Sequence, residues 1–490
     1  MKFRYSLLFW LLVMPLPVLC QDPNPFVKKA DAAKSERPPG DSYVAVVEHI
    51  LVPPDLIGDW IRSHHISGDA DELRALVEQW IGEGKATLEY TGICTGVSDR
   101  KAVYSSLVEL IYPTENKPSG SEVWPLPTSF ETRNTGFAVE LHPTTYADGP
   151  RLSLWMDHVK YTGSRAWDVI SGRTRQPGDV LMPEFRSART SWGAWQDMTP
   201  DPFNGSGSPQ VDPPVKPPAS LPGGKYQLIA RFDPLSNERE EGKTRLVFLR
   251  GDFTARAKPT EEVPDLSHLA YELVEIPHAA ISAWQRSAVV GDIPAGAWEF
   301  VEGLRKGGGV TTISSGGGLE KGASGWTLEN ISEEIYPTEY QPIYEKTVLR
   351  RWQSPKSQKE GGQMVEGLAT YETQRIESYS GLKGASLATS FETRNTGTTI
   401  QMTPLRDESG LLATLRCQHV VRLGDTVSRR IDNNGEWIPD CTMPLFASNH
   451  FNTTCRITPG AWTLVGTGSL FTGLGKSDTG RCLLFFIKLE

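Results

Sequence analysis

The chain has 490 residues and a formal net charge of −9, from 50 basic and 59 acidic side chains. An acidic protein of this kind is a poor candidate for binding nucleic acid, and its overall charge would not draw it to anionic lipid. The length predicts two or three domains.

The first 20 residues are typical of a secretory signal peptide. Basic residues precede an apolar run from Leu7 to Met14, and a cleavage site follows at Cys20. The run is short and prolines follow it, which argues against a membrane-spanning helix. A second interpretation attaches lipid to Cys20, although Leu19 stands where a small residue is expected. The sequence therefore predicts an exported protein, periplasmic or associated with an outer membrane.

Residues 21–42 predict a flexible leader, because they contain many Pro, Lys, Asp and Ser residues and few apolar ones. Residues 43–52 predict a strand that two prolines end, and a short helix around Trp60 follows. An amphipathic helix is predicted over 69–82, with one apolar stripe from Leu73 to Ile81. Strands at 86–96 and 102–112 complete a small α+β unit.

A β-rich block follows, in which apolar and polar residues alternate from Phe137 to His142. Alternation of this kind predicts a sheet with one buried face. A proline-rich loop, residues 199–224, interrupts the block, and strands resume at Lys225. Residues 254–266 predict a linker, and the chain closes on an apolar strand, 483–487, of the kind found inside a sandwich or under a helix.

The two halves of the chain are related. The nine residues 128–136, here called the marker, recur without change as residues 389–397. Ile111 matches Ile335, 224 positions later (335 − 111), and the offset grows to 261 (389 − 128) at the marker. We therefore predict an α+β protein of two tandem repeats, 43–253 and 267–490, each a small α+β unit followed by a mainly antiparallel β block.

The marker and the residues after it resemble the β-domain of secretins, the ring-forming outer-membrane channels of protein secretion and pilus assembly. Phe130 to Gly136 is followed by an alternating strand and Pro143, and the pattern returns with Pro404 in repeat 2. The resemblance implies a secretin-like β block. The amphipathic, lipid-facing strands of that family are not evident, so the likeness favours a duplicated soluble module over a pore.

Two sets of residues are candidates for a functional or covalent role. In the marker, Arg133 and Arg394 predict either a subunit contact or, as the favoured interpretation, a fixed turn at the following Asn-Thr-Gly. In an oxidising compartment the clustered cysteines predict two disulfides, which their wide spacing favours over a zinc site. The marker residues are Phe130, Glu131, Arg133, Asn134 and Gly136, with Phe391, Glu392, Arg394, Asn395 and Gly397; the cysteines are Cys417, Cys441, Cys455 and Cys482.

The sequence contains no motif for catalysis, a cofactor or a metal ion that we would assign. His158 and His419 occupy equivalent strand positions, and we interpret both as structural. The first functional hypothesis is a non-enzymatic, exported envelope protein that acts by protein–protein contact or self-association. The second is an oligomeric, secretin-like outer-membrane subunit, and the third is a hydrolase with a site assembled from distant residues.

Overall fold

The computed structural model describes residues 42–64, 69–118, 125–146, 149–167, 180–192, 223–232, 242–254, 268–319, 325–342, 348–352, 358–360, 363–365, 371–375, 386–407, 410–431 and 437–490. The predicted signal peptide, nearly all of the leader and linker, and most of the proline-rich loop lie outside these ranges. In the part of the chain that the structure describes, no helix is both long and apolar enough to cross a membrane.

The described elements of repeat 1 are β1 (Ser42–Val52), α1 (Pro54–Ser63), α2 (Asp71–Gly82), β2 (Thr87–Val97), β3 (Ala102–Pro118), β4 (Pro125–Tyr146), β5 (Gly149–Trp167), β6 (Val180–Trp192), β7 (Tyr226–Phe232) and β8 (Thr244–Thr254). Those of repeat 2 are β9 (His268–Pro277), α3 (His278–Ser287), a 3-10 turn (Val290–Asp292), α4 (Ile293–Lys306), β10 (Thr311–Leu319), β11 (Trp326–Pro342), β12 (Val348–Trp352), β13 (Gln358–Glu360), β14 (Gln363–Val365), β15 (Tyr371–Arg375), β16 (Ser386–Asp407), β17 (Gly410–Ile431), β18 (Trp437–Ile457), β19 (Thr463–Gly473) and β20 (Lys476–Leu489).

The described strands form two eight-stranded antiparallel sheets, each of which runs from repeat 2 into repeat 1, and two small two-stranded sheets, β12-β15 and β13-β14. The first sheet has the strand order β10-β9-β20-β19-β2-β1-β8-β7, and the second has the order β11-β16-β17-β18-β3-β4-β5-β6. The repeats therefore join at β19–β2 in one sheet and at β18–β3 in the other. We call these two contacts together the junction.

The strand registers show that the two repeats have the same fold. Val108 lies opposite Thr135 in repeat 1, and Ser332 lies opposite Thr396 in repeat 2, which are the positions that the two sequence offsets predict. Beyond this region, Leu228 lies opposite Phe248 in repeat 1, and Leu464 lies opposite Phe486 at the equivalent place in repeat 2. The sequence repeat is thus a repeat of structure in the strands of the two large sheets, while β12 to β15 of repeat 2 have no counterpart among the described strands of repeat 1.

Apolar side chains fill two layers, one between the sheets and one between the first sheet and the helices. Because successive side chains of the terminal strand β20 point to opposite faces of the sheet, this strand contributes to both layers. Leu483, Phe485 and Ile487 join the core between the sheets, while Leu484 and Phe486 lie under α3 and α4. Burial on both faces explains why this strand is apolar throughout, as the sequence predicted.

The predicted α+β class is wrong, because the described residues are mostly β-strand. The four helices are short and lie on the outer face of one shared sheet, so they do not build separate α+β units. The two helices of repeat 1 were predicted at nearly the right places, at α1 and α2. The error arose because strands such as β4 and β17 extend far beyond the segments that alternation marked.

The marker does not form the predicted turn, because it lies within the continuous strands β4 and β16. Its glycines, Gly136 and Gly397, have φ of +119° and +108°. A Cβ on Gly136 would lie 2.2 Å from the carbonyl oxygen of Ser106 on the neighbouring strand. Glycine is therefore required both for the backbone conformation and for the close approach of β3.

We predict that Gly136→Ala lowers the free energy of unfolding by about 1–3 kcal/mol more than Gly163→Ala, because overpacking adds to backbone strain. Gly163 is the matched control, since its φ is +132° and a Cβ there would meet nothing within 4 Å. Denaturant unfolding of the two variants measures the difference. Equal losses would show that the contact with Ser106 has no cost of its own.

Candidate interaction surface

Arg394 of the second marker forms an ion pair across the junction with Glu109 on β3. Both side chains are nearly buried, so solvent screens the pair weakly. Arg133, at the same marker position in repeat 1, has no ion pair with any described carboxylate. Its guanidinium lies 5.9 Å from the ring centroid of Phe185. One arginine therefore joins the repeats, and its half-buried copy stacks on an aromatic ring of its own repeat.

The face of β3 that carries Glu109 is covered by repeat 2. On either side of Glu109, Leu107 and Ile111 are each only 5% exposed. Ile111 belongs to an apolar cluster with Val420, Met443 and Phe446, and Tyr336 and Tyr340 pack against that cluster. Repeat 2 thus supplies strands β17 and β18 beside β3 and aromatic rings above it.

The equivalent face of β11 is open to solvent. Ile331 and Ile335, the counterparts of Leu107 and Ile111, are 37% and 70% exposed, and Glu333 between them is exposed as well. Phe391, the first aromatic residue of the second marker, is 58% exposed. We call Ile331, Glu333, Ile335 and Phe391 the open face of repeat 2.

The strands that border the open face also lack partners on one side. Among the described residues, β10 pairs only with β9, and β11 pairs with β16 apart from a single residue pair with β4. Edge strands of this kind expose backbone N–H and C=O groups that a further strand can bind. The open face therefore combines exposed apolar side chains, a carboxylate and unpaired backbone.

The remaining marker residues have local roles. Glu392 accepts a hydrogen bond of 3.3 Å from the hydroxyl of Tyr336 on the adjacent strand. Burial and the negative charge of Glu392 raise the pKa of Tyr336 to about 12. Phe130 packs against Tyr340 across the junction, with ring centroids 5.7 Å apart. The two copies of the marker thus differ in their contacts although their sequences are identical.

The five cysteines after the signal segment are buried and form no disulfide bond in this structure, and the predicted disulfides stay a prediction. Cys417 and Cys455 lie in the core between the sheets, while Cys482 lies under the helices. Burial raises the pKa of the Cys455 thiol to about 12 and raises that of Cys417 further. These thiols are therefore unreactive while the protein is folded.

The two equivalent histidines are buried on strands β5 and β17, and their structural role stays a prediction. His158 stacks on Phe137, with ring centroids 4.2 Å apart, and lies 6.0 Å from the ring of His49. His419 instead shares a hydrogen bond of 2.9 Å with the hydroxyl of Thr398. Neither ring nitrogen of His49 has a hydrogen-bond partner within the described residues.

Burial lowers the pKa of both His49 and His158 well below the usual value, and Arg245 lowers both further. His158 also lowers the pKa of His49, which Glu89 raises slightly. Both imidazoles are therefore neutral in the folded protein at neutral pH. Sequence reasoning missed His49, although a histidine in an otherwise apolar buried strand was a visible signal.

No group of three or more His, Cys, Asp or Glu side chains within the described ranges could hold a metal ion. Comparison of the chain with protein-family models, with curated proteins and with solved structures finds no match. Among the surfaces of the described residues, the open face of repeat 2 combines exposed apolar side chains with unpaired strand edges.

We predict that His49→Phe makes stability less dependent on pH. In the wild type the unfolded chain binds a proton at His49 below pH 6.5, while the folded protein does not. Stability is therefore lost as the pH falls through 6.5, by about 1 kcal/mol per such histidine between pH 7.5 and 5.5. Denaturant unfolding at the two pH values should show a correspondingly smaller loss in the variant. Replacing the exposed His64 in the same way should leave the loss unchanged.

We predict that Arg394→Ala and Arg133→Ala have different costs although they alter the same marker position. Arg394→Ala leaves Glu109 unpaired at a nearly buried site and should lower the free energy of unfolding by about 2 kcal/mol. Arg133→Ala removes one cation–π contact and should cost about 0.5 kcal/mol. Unfolding of dilute protein measures both. Similar values would show that Arg394 does not stabilise the junction.

Proposed function

We propose that this protein is an exported component of the cell envelope that acts by binding another protein through the open face of repeat 2, without catalysing a reaction. The observation that carries the proposal is the contrast between Ile335 and its counterpart Ile111. The same residue on the same strand is buried in repeat 1 and 70% exposed in repeat 2.

The chemistry of the open face suits a protein partner. Apolar side chains at alternate positions of β11 provide area that is favourable to remove from water. Glu333 stands between the two isoleucines and would require a basic group on the partner. The unpaired edges of β10 and β11 provide backbone groups for strand addition. The sequence of residues 1–20 supports export, and the acidic overall charge argues against a nucleic-acid partner.

The secretin-like ancestry remains a proposal that the marker and the alternating strands support. The second candidate, an oligomeric outer-membrane subunit of protein secretion or pilus assembly, is consistent with the same open face, since it also requires protein–protein contact. The hydrolase is the least supported candidate, because no described group of residues suggests a reaction.

We predict that a photo-crosslinking residue at position 335 gives covalent adducts with protein in the cells that produce the chain. The same residue at position 289 is the control, because Val289 in repeat 2 is also 70% exposed but lies in the helical layer. Adducts from position 335 and none from position 289 are expected on denaturing gels. Adducts from neither position, or equally from both, would contradict binding through the open face.

A further inference from the structure

We infer that the occupant of the open face of repeat 2 is repeat 1 of a second copy of this chain. This inference rests on the proposed function and names its partner. The copies would join head to tail, and the contact between them would reproduce the junction that already joins repeat 2 to repeat 1 within the chain.

The two halves of the contact lie on β11 of repeat 2 and around β6 of repeat 1. Within the chain, the junction combines an ion pair between repeats with an apolar cluster. The residues of the ion pair and the buried residues of the cluster each have an identical residue at the equivalent position of the other repeat. These pairs of equivalent residues are Glu109 and Glu333, Arg394 and Arg133, Ile111 and Ile335, Val420 and Val159, Met443 and Met182, and Phe446 and Phe185.

The surface of repeat 1 that would receive β11 is already arranged as in the junction. Tyr336 lies over Phe446 with ring centroids 6.0 Å apart, and their counterparts Tyr112 and Phe185 are 5.9 Å apart. Arg133 lies over the same Phe185 ring, beside the outer edge of β6. Val180 at the start of β6 pairs with Arg430 of β17, and no described strand pairs with the rest of that edge of β6. Along residues 181–192 repeat 1 therefore presents a site in which a β11 strand would complete the set of contacts.

The register of the new strand pair follows from the junction. In the chain, β18 pairs with β3 from Leu445 opposite Leu110 to Asn452 opposite Val103. The same relation between β6 and the β11 of another copy places Arg189 opposite Glu329 of that copy. Glu333 of that copy then takes the place that Glu109 has beside Arg394, and so meets Arg133. Two arginines of repeat 1, Arg133 and Arg189, thus face glutamates of the other copy, although Arg189 also pairs with Asp157 of its own chain at 3.2 Å.

A contact of this kind does not close on itself within a pair. Repeat 1 of each copy binds repeat 2 of the next, so the two surfaces in contact are different and each copy keeps one of each. Heterologous contacts build a ring where the rotation between copies closes and a filament where it does not. Assemblies larger than a dimer are therefore expected.

Two differences make the contact between copies weaker than the junction. Glu184 and Glu334 replace the opposed pair Leu445 and Leu110, although Arg422 already forms an ion pair with Glu334 at 3.3 Å. In the helical layer, Ser282 and Gln285 of repeat 2 donate hydrogen bonds to Glu48 of repeat 1 across the junction. Repeat 1 has Gly58 and Ile61 at the equivalent positions. We therefore expect reversible assembly that depends on protein concentration.

The test exchanges the charges of the ion pair between copies. In Arg133→Glu and in Glu333→Arg, each copy would present like charges to the next, and association measured by light scattering of residues 21–490 should weaken at least about ten-fold. A 1:1 mixture of the two variants places the introduced arginine of one against the introduced glutamate of the other at one contact. The opposite contact in that mixture keeps the native pair. The mixture and the double variant should therefore recover assembly.

The outcomes separate this inference from the proposed function. Recovery of assembly in the mixture supports pairing of copies, because mixing the two variants cannot restore binding to an unrelated partner. A wild type that stays monomeric at all concentrations, or variants that assemble like the wild type, would overturn it. Adducts from position 335 with a different protein would then still support the proposed function. Circular dichroism and thermal unfolding of each single variant, compared with the wild type, establish that the variants fold.

Discussion

The antiparallel ladder between β18 and β3 is the contact on which the rest of the structure depends. It pairs eight residues from repeat 2 with eight from repeat 1, and polar contacts extend it into the other sheet. Ser106 on β3 donates a hydrogen bond of 2.7 Å to the side-chain oxygen of Asn449, and the backbone N–H of Ser469 on β19 donates one of 2.9 Å to Ser106. Because both sheets cross from one repeat to the other, neither repeat has a complete core of its own. The unit that folds is therefore the pair of repeats, and separate α+β modules do not form.

Identical residues have different environments in the two repeats because the repeats meet only once in each sheet. The junction covers one side of repeat 1 and a different side of repeat 2. The side of β3 that meets repeat 2 becomes interior, while on the same side of β11 Ile331 and Ile335 stay 37% and 70% exposed. The sequence of the marker alone therefore cannot say which copy is buried. The two repeats also differ in sequence at equivalent interior positions. Phe137 stacks on His158 in repeat 1, while the hydroxyl of Thr398 shares a hydrogen bond with His419 in repeat 2. Each repeat has adapted its interior separately, while the residues of the ion pair and of the buried apolar cluster are the same in both.

Local patterns in the sequence predicted individual elements well and their assembly poorly. The apolar stripe from Leu73 to Ile81 predicted α2, and the uniformly apolar 483–487 predicted a strand buried on both faces, because periodicity reports directly which faces leave water. Two helices beside short alternating segments suggested α+β units, whereas strands such as β17 continue through polar residues where long-range pairing holds them. The Asn-Thr-Gly of the marker suggested a turn, since a glycine with positive φ is most common there. Only the neighbouring strand, which passes close to Gly136, explains why that glycine lies within a strand.

The helical layer makes the junction within the chain different from the proposed contact between two copies of the chain. Glu48 and Arg74 are fully buried and joined by hydrogen bonds of 2.8 and 3.2 Å, and Arg286 adds an ion pair of 2.7 Å to Glu78 beside them. The Arg74 and Arg286 side chains offset the desolvation of Glu48, whose pKa is lowered despite its burial. Such a network stabilises only the arrangement that satisfies every member, since a partly satisfied buried charge is costly. Repeat 2 has at the equivalent place Glu272 with Arg305, which are partly exposed and satisfied without another repeat. The chain thus specifies one permanent junction through buried charge and leaves a second, weaker contact to apolar and surface residues that any further copy can supply.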